Sequence, residues 1–375
     1  MRYDVAVVGL GAMGSAALAE CARRGRSVIG LEQFDRGHEH GSSTGRSRLI
    51  RKAYFEDPAY VPLLLRAYAK WRELEQATDT KLLRITGLLM VGDENAEVIT
   101  GASRAAREHQ LPLESLDARE IRRRYPMLRV QDQEIGVYEP DGGVLAPEQA
   151  IQAQLDRAVD AGAEMRFGIA MTNWRSDDGE FVITLSDGST VDCGALILTL
   201  GPWFKSLLKE LGVALRIQRN VQAWFNPATA SYSAGQFPPF LLDRKGLPAP
   251  LYGFPDFGDG VKAAFHSHGA FSEPDAIVRE VEPALDIGPI VEAMNDWMPG
   301  AASEFRSAKP CPYSLTPDGH FVLDCHPEHP RLVLCGGFSG HGFKFAPVIG
   351  EIATDLAFDG GTAHDIGFLS LRRFR

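Results

Sequence analysis

The sequence predicts a mixed α/β and α+β fold in two parts: a Rossmann-like portion that cradles a dinucleotide, and a second portion built on a mostly antiparallel sheet. Three observations carry this expectation. An apolar strand, Val5-Ala6-Val7-Val8, runs directly into Gly9-Leu10-Gly11-Ala12-Met13-Gly14. From Arg216 onward the chain becomes β-rich and proline-marked, at Gln222 to Phe225, Pro250 to Phe254 and Val261 to His266. A last apolar strand, Leu332 to Cys335, then meets a second glycine-rich turn, Gly336 to Lys344.

The opening strand and turn have the chemistry of a phosphate cradle. Gly9 permits the tight turn, Gly11 leaves room for a pyrophosphate beside the backbone, and Gly14 lets the following helix pack closely on the strand. The helix N-terminus offers unpaired N–H groups to the phosphates. Ser15 to Arg24 reads as a helix of small residues, Gly25 as its stop, and Ser27 to Leu31 as the second strand. Glu32 follows at once, where a carboxylate can accept hydrogen bonds from both ribose hydroxyls and so favours an unphosphorylated ribose. The motif by itself leaves FAD and NAD both open.

Tyr60 to Leu74 carries Leu63, Leu64, Leu65, Tyr68, Trp71 and Leu74 at amphipathic-helix spacing. Ile85 to Val91 and Gly136 to Glu139 read as short strands around a charged helical stretch, Ser103 to Tyr125, and Gly142 to Pro147 reads as a turn before a helix over Glu148 to Gly162. Phe181 to Leu185 and Thr190 to Cys193 form a strand pair around Asp187-Gly188, after which the apolar strand Ala195 to Leu200 returns the chain to the parallel sheet. Ala346 to Phe358 reads as the last helix.

With 375 residues and 45% hydrophobic content, the chain can build two cores. A net charge of −10 argues against nucleic acid or an anionic membrane surface as partner, since both require a basic footprint. No apolar run approaches the roughly 20 residues of a spanning helix, and the opening residues read as strand rather than as a leader. Cys21, Cys193, Cys311, Cys325 and Cys335 are widely spaced with no Cys-x-x-Cys pair. They support neither a disulfide framework nor a zinc site, and a reducing cytoplasm suits them.

Four sets of residues could carry chemistry. Arg46, Ser47, Arg48 and Arg51 sit in a glycine- and serine-marked loop from Gly41; on a helical turn Arg48 and Arg51 would share a face, and two guanidinium groups can clamp a carboxylate or balance an anionic cofactor. A solvated basic turn is the plainer alternative. Lys262, inside an apolar strand, and Lys344, ending the second glycine turn, depart from the usual exposed lysine, and a desolvated lysine can supply positive charge or a proton. Cys311 stands between Pro310 and Pro312, where free cysteine is ordinarily a buried filler. His266, His268 and His341 make no metal-ligand pattern, so no metal is expected, and no Ser-His-Asp order is legible.

Taken together, these segments resemble the monomeric sarcosine oxidase family of FAD-dependent amine oxidases, in the D-amino-acid oxidase superfamily, which also includes N-methyltryptophan oxidase and pipecolate oxidase. The resemblance runs end to end. It rests on the N-terminal glycine motif, Ser47-Arg48-Leu49-Ile50-Arg51-Lys52-Ala53-Tyr54, Tyr252-Gly253-Phe254-Pro255, Cys311-Pro312-Tyr313 with Thr316-Pro317-Asp318, and Gly337-Phe338-Ser339-Gly340-His341-Gly342-Phe343-Lys344.

The resemblance implies FAD, tethered by a thioether to Cys311. It implies cofactor contacts at Gly9, Gly11, Met13, Gly14, Glu32, Gln33, Ser42, Ser43, Thr44, Arg48, Gly201, Trp203, Cys311 and the run Gly337, Phe338, Ser339, Gly340, His341, Gly342, Phe343 and Lys344. Arg51 and Lys344 match the pair that holds the substrate carboxylate, Arg48 a basic residue at the flavin's reactive face, Lys262 the lysine that activates oxygen, and Tyr252 and His266 residues of the amine pocket. The implied division is a discontinuous FAD-binding domain, 1–80, 145–215 and 312–375, with a substrate domain over 81–144 and 216–311.

The activity so implied is oxidation of the C–N bond of a secondary, N-methyl or cyclic, α-amino acid to an imine that hydrolyses, with oxygen reduced to hydrogen peroxide, in a monomer. Ser43, Thr44 and Arg46 stand where sarcosine oxidases carry a histidine pair and an aspartate, and Leu31-Glu32-Gln33-Phe34 looks more like pipecolate oxidase; Pro312 also replaces the commoner family residue. Sarcosine, pipecolate, proline and N-methyltryptophan therefore all stay open as substrates. The rivals are an FAD dehydrogenase with another electron acceptor, a non-catalytic flavin-binding protein, and an NAD enzyme.

Overall fold

Apolar runs and alternating runs sort the strands into two large sheets and one small one in the computed structural model, which describes residues 2–374. The apolar runs Val5 to Val8, at the end of the strand Arg2–Val8, Val28–Leu31 and the second half of Thr190–Leu198 lie side by side and parallel, with Val5 opposite Val28 and Ala195, as strands buried on both faces must. Leu332–Gly336 adds in parallel beyond Thr190–Leu198, and Glu164–Arg166 beyond Val28–Leu31. The hairpin Met171–Asp177 and Glu180–Leu185, together with Val322–Cys325, completes an eight-stranded sheet.

The helices Ala12–Arg23, Pro147–Asp160 and Ala346–Asp359 cover one face of this sheet. Gly350 is what lets the last helix cross the first so closely: a Cβ there would stand 2.6 Å from the Ala16 backbone carbon.

The second sheet has nine strands, in the order Ala270–Ser272, Arg216–Asn226, Val261–Phe265, Leu251–Phe254, Phe240–Asp243, Leu88–Asp93, Glu134–Glu139 and Glu114–Asp117, with Glu304–Leu315 also paired to Arg216–Asn226. Every pairing is antiparallel except Phe240–Asp243 with Leu88–Asp93. A separate, small antiparallel sheet is formed by Arg48–Ile50, Gly143–Leu145 and Leu83–Ile85, with Gly143–Leu145 in the middle.

Several expectations need correction. Ser103 to Tyr125 is not one helical stretch: the helix Glu97–His109 stops at Gln110, whose φ is +54°, and the strand Glu114–Asp117 precedes the short helix Ala118–Arg124. Gly142 to Pro147 is not merely a turn, because Gly143–Leu145 is the middle strand of the small sheet; a Cβ on Gly143 would meet Arg84 O at 2.2 Å. The apolar stretch Ile85 to Val91 splits into two strands on different sheets around Gly87, with φ +74°. Conversely, Thr190 to Leu198 is one continuous strand, whose first half closes the hairpin and whose second half joins the parallel sheet. Arg48 and Arg51 do not ride on a helical turn: Arg48–Ile50 pairs with Gly143–Leu145, and Arg51 lies one residue past the strand end.

Candidate active site

A cavity of about 340 Å³ opens between the carboxyl ends of the parallel strands and the second sheet, lined from Val8 near one chain end to Lys344 near the other. This is where open parallel sheets place ligands. Its floor is the first glycine turn. Gly9 has a φ of +89°, and a Cβ on it would stand 2.6 Å from Thr199 O. Gly14 does not line the cavity; its role is packing, since a Cβ there would fall 1.7 Å from Gly9 O.

Gly11 does line it. A Cβ there would meet only Ser43 Oγ, at 3.3 Å, so the missing side chain leaves open cavity beside the helix start. Glu32 is buried at the same end. Its Oε2 accepts from Leu10 N at 2.7 Å and Oε1 from Phe34 N at 3.1 Å, with His38 Nε2 3.5 Å away. Burial opposes ionisation, but the His38 ring and these N–H donors outweigh it and hold the carboxyl below its ordinary range. Each oxygen keeps a further lone pair to accept from a hydroxyl.

The opposite end is cationic. Arg51, 3% exposed, points Nη2 at both Glu56 oxygens, each 2.7 Å away, while its Nε and Nη1 are buried without a partner. Unsatisfied buried guanidinium donors are costly and call for an acceptor. Glu56, despite burial, is pushed down to about 2, chiefly by Arg51. Lys344 Nζ donates to His341 O at 2.8 Å and lies 3.4 Å from the Tyr54 hydroxyl. Burial, reinforced by Arg51, lowers Lys344 to about 7. One cation fully charged and one near its midpoint thus face the same space, a setting suited to a carboxylate.

Between these ends stand Arg48 and Cys311. Arg48 is clasped by the carbonyls of Ser42 at 3.0 Å, Ser47 at 2.9 Å and Thr44, and its Nη2 is 3.7 Å from Cys311 Sγ. Cys311 sits in the strand Glu304–Leu315, with Sγ also 3.7 Å from Ser42 O. Tyr252 and His266 form the wall of the second sheet, their rings 6.4 Å apart. Burial drives His266 down to about 4 and Tyr252 up to about 12, so both are neutral at pH 7.

Most residues expected to form the site line one cavity: Gly9, Gly11, Met13, Glu32, Gln33, Ser42, Ser43, Arg48, Arg51, Gly201, Trp203, Tyr252, His266, Cys311 and Gly337 through Lys344. Three do not. Besides Gly14, Thr44 does not line the cavity and touches the site through its carbonyl on Arg48. Lys262 lies behind the arginine loop, donating to Gly45 O at 2.7 Å and Ser47 O at 2.9 Å, packed near Phe254 and Trp224. Burial pushes its pKa well below the ordinary value. Arg46 faces Asp259 and the Trp224 ring instead.

Glu56, Gln222, Tyr54 and Phe55 were not legible as site residues. Glu56 reaches the site only because the chain turns back after Arg51, and Gln222 because strand alternation inside Arg216–Asn226 aims it inward, its Oε1 buried and unpartnered. Among the described residues no cluster of three metal-ligating side chains occurs and all five cysteines are free.

FAD fits these residues on the structure's own terms: an open glycine cradle at the helix start and a buried acid, with lone pairs to spare, at the ribose end. Comparison with known proteins agrees. The family model described as FAD dependent oxidoreductase, DAO, matches residues 4–356. The chain is 42% identical to the monomeric sarcosine oxidase of Streptomyces avermitilis, covering 99% of this chain and 97% of that one. It is 34% identical to the N-methyl-L-tryptophan oxidase of Yersinia pestis over the full length of both. Among solved structures, the open form of NikD, an unusual amino acid oxidase essential for nikkomycin biosynthesis, superposes with a TM-score of 0.88 at 27% identity, covering 98% of this chain and 97% of that one. A cradle for a dinucleotide and a cationic substrate end, joined in one cavity, thus belong to a known lineage: this chain is a member of the DAO family of FAD-dependent oxidoreductases.

Proposed function

We propose that this protein oxidises secondary, N-methyl or cyclic, α-amino acids at the C–N bond, in the manner of sarcosine oxidases, with oxygen as acceptor and hydrogen peroxide as product. The observation that carries the proposal is Arg51, with two buried donors unspent, facing Lys344 across the substrate end of the cavity.

Arg51 and Lys344 bind the substrate carboxylate and so fix which end of the molecule meets the reactive ring. His266, neutral, adds no positive charge beside an amine that must shed its proton before its C–N bond can be oxidised. Tyr252 and Phe254 close the apolar side and exclude water. Bound FAD supplies the two-electron acceptor. The first sheet, carrying Gly9, Gly11 and Glu32, serves as the cofactor part, and the second, carrying Tyr252 and His266, as the substrate part. Arg48 balances negative charge near Cys311, and Lys262 is the oxygen-side cation acting from behind the loop that holds Arg48.

Cys311 is the proposed point of covalent attachment, supported by its place on the cavity wall with a guanidinium 3.7 Å from its sulfur. The relatives named monomeric support a single chain as the working form, and five free thiols suit a reducing compartment such as the cytoplasm. No helix among the described residues is long and apolar enough to cross a membrane.

One experiment tests this reading. Sarcosine, N-methyltryptophan, pipecolate and proline, in both enantiomers where they exist, are screened with air as acceptor and peroxide as readout. Turnover of one class without peroxide would turn the assignment to a dehydrogenase. Acid precipitation of the same enzyme should leave a yellow pellet, and flavin wholly in the supernatant would rule out the Cys311 tether.

A further inference from the structure

The second glycine turn and the loop after Arg51 meet in a buried hydrogen-bonded chain whose direction chemistry dictates. His341 Nε2 lies 3.0 Å from Gly319 O, and a carbonyl can only accept, so Nε2 carries the ring proton. Burial keeps this imidazole neutral, its pKa lowered to about 3, so Nδ1 is bare. The Tyr54 hydroxyl, 2.6 Å from Nδ1, must therefore be the donor there. Its single proton is thus committed to the ring rather than to the His341 carbonyl at 3.2 Å, and the phenol oxygen's lone pairs remain for Lys344 Nζ at 3.4 Å.

Lys344 also donates to His341 O at 2.8 Å, which leaves one ammonium proton for the cavity. The other cation leans on the same residue: the Arg51 guanidinium carbon lies 4.2 Å above the Tyr54 ring, and 4.2 Å from the Phe55 ring. Tyr54 itself is fully buried.

We propose that Tyr54, oriented by His341, is the positioning residue of the carboxylate site: its oxygen keeps Lys344 protonated and aimed at the cavity, and its ring face holds the Arg51 guanidinium in place. The proposal rests on the reading of Arg51 and Lys344 as the carboxylate pair. A fixed acceptor stabilises the ammonium over the neutral amine, so the oxygen opposes the effect of burial on Lys344. The ring contact is independent of the hydroxyl and survives its removal.

Tyr54→Phe separates the two functions. The probe is methoxyacetate, a carboxylate with an ether oxygen in place of the amine, followed through the visible spectrum of the bound flavin from pH 6 to 9. The groups facing Lys344 are Arg51, Arg48, Glu56, His266, His341 and Tyr54. Arg51 stays charged, Glu56 stays ionised and both histidines stay neutral over this range, which leaves Lys344 to titrate. Glu139, raised to about 7 by burial behind Arg51, is common to both proteins and cancels in the comparison.

Binding should be tight below the Lys344 midpoint and weaken above it. In Tyr54→Phe the midpoint should fall by about one pH unit, with roughly ten-fold weaker binding at pH 8, the loss expected for one hydrogen bond to a charged group. An unchanged midpoint overturns the role of Tyr54. Should Tyr54→Phe fail to fold, His341→Leu breaks the chain from its other end and must shift the midpoint the same way, or the proposal falls. Lys344→Met is the separate control. If it binds the probe as the wild type does, with the same pH dependence, then the carboxylate assignment is wrong; if it abolishes that dependence while Tyr54→Phe leaves the midpoint in place, only the role of Tyr54 is wrong.

Discussion

Alanine at Gly11 and at Gly14 should fail for opposite reasons, and the pair separates a glycine kept for the protein from one kept for the cofactor. At Gly14 the added Cβ falls 1.7 Å from Gly9 O and 2.5 Å from Thr199 Oγ1, against ordinary contacts of 3.4–4 Å. The closest clash is with backbone, so the start of the helix Ala12–Arg23 must move off the strand, at a cost at or above about 3 kcal/mol.

At Gly11 the φ is −69° and ψ −159°, extended backbone open to any residue, and the nearest atom to the new Cβ is Ser43 Oγ at 3.3 Å. The apoprotein should lose only about 1 kcal/mol, because the tight neighbour is the end of the Ser43 side chain, which can give way, and the remaining cost is that of alanine at the helix N-cap. The methyl group would instead occupy the space beside the phosphates. Loss of one hydrogen bond to a charged group there, about 1.5–3 kcal/mol, weakens FAD binding roughly 10- to 100-fold.

Both variants are made in a Cys311→Ala background, so that flavin binding is reversible, and are produced as apoprotein under flavin starvation. Urea melts then give stability, and quenching of flavin fluorescence gives affinity. Wild-type urea stability in Gly14→Ala, or wild-type FAD affinity in Gly11→Ala, would refute the assignment of the two glycines.

Two further outcomes are expected. Lys262→Met should slow reoxidation of reduced enzyme by oxygen about 10²- to 10³-fold, the scale of one removed electrostatic donor, while anaerobic reduction changes little; stopped-flow traces in which both half-reactions slow alike would remove Lys262 from the oxygen side. Glu20, held near 2 against burial by Arg23, Lys70 and Arg24, is depressed in the folded state. Its stabilising contribution is therefore complete above its unfolded pKa, about 4.3, and drains away as pH falls toward about 2. Glu20→Gln should cost about 1–3 kcal/mol at pH 7 and flatten the stability curve over that acid window, and an unaltered acid limb by urea denaturation would discount the pairing.

The two glycine turns and their strands were legible in sequence because local backbone demands, a positive φ at Gly9 or a close helix approach at Gly14, leave residue-specific marks. The small sheet was not. Gly143–Leu145 and Arg48–Ile50 are three residues each and owe their conformation to pairing across nearly a hundred positions, which no local pattern records. The same limit governed the site. Arg51 and Lys344 stand out as charges among apolar residues, whereas Glu56 and Tyr54 matter only through what the fold brings against them. Lys262 was placed on the correct strand, but its behaviour depends on the carbonyls of Gly45 and Ser47, supplied by a loop more than two hundred residues earlier.

The interleaving of the first sheet bears on how the molecule comes into being. The strand Arg2–Val8 is made well before its inner neighbour Thr190–Leu198, nearly two hundred residues downstream, and the strand beyond that, Leu332–Gly336, follows later still. Until then the nascent chain carries an apolar strand with an unpaired edge, the kind of surface on which chaperones act and aggregation begins. Because the cavity is walled by residues from Val8 to Lys344, its complete wall exists only once strands more than three hundred residues apart have come together, so the cofactor site is a product of the assembled sheet and not a template for its first strands.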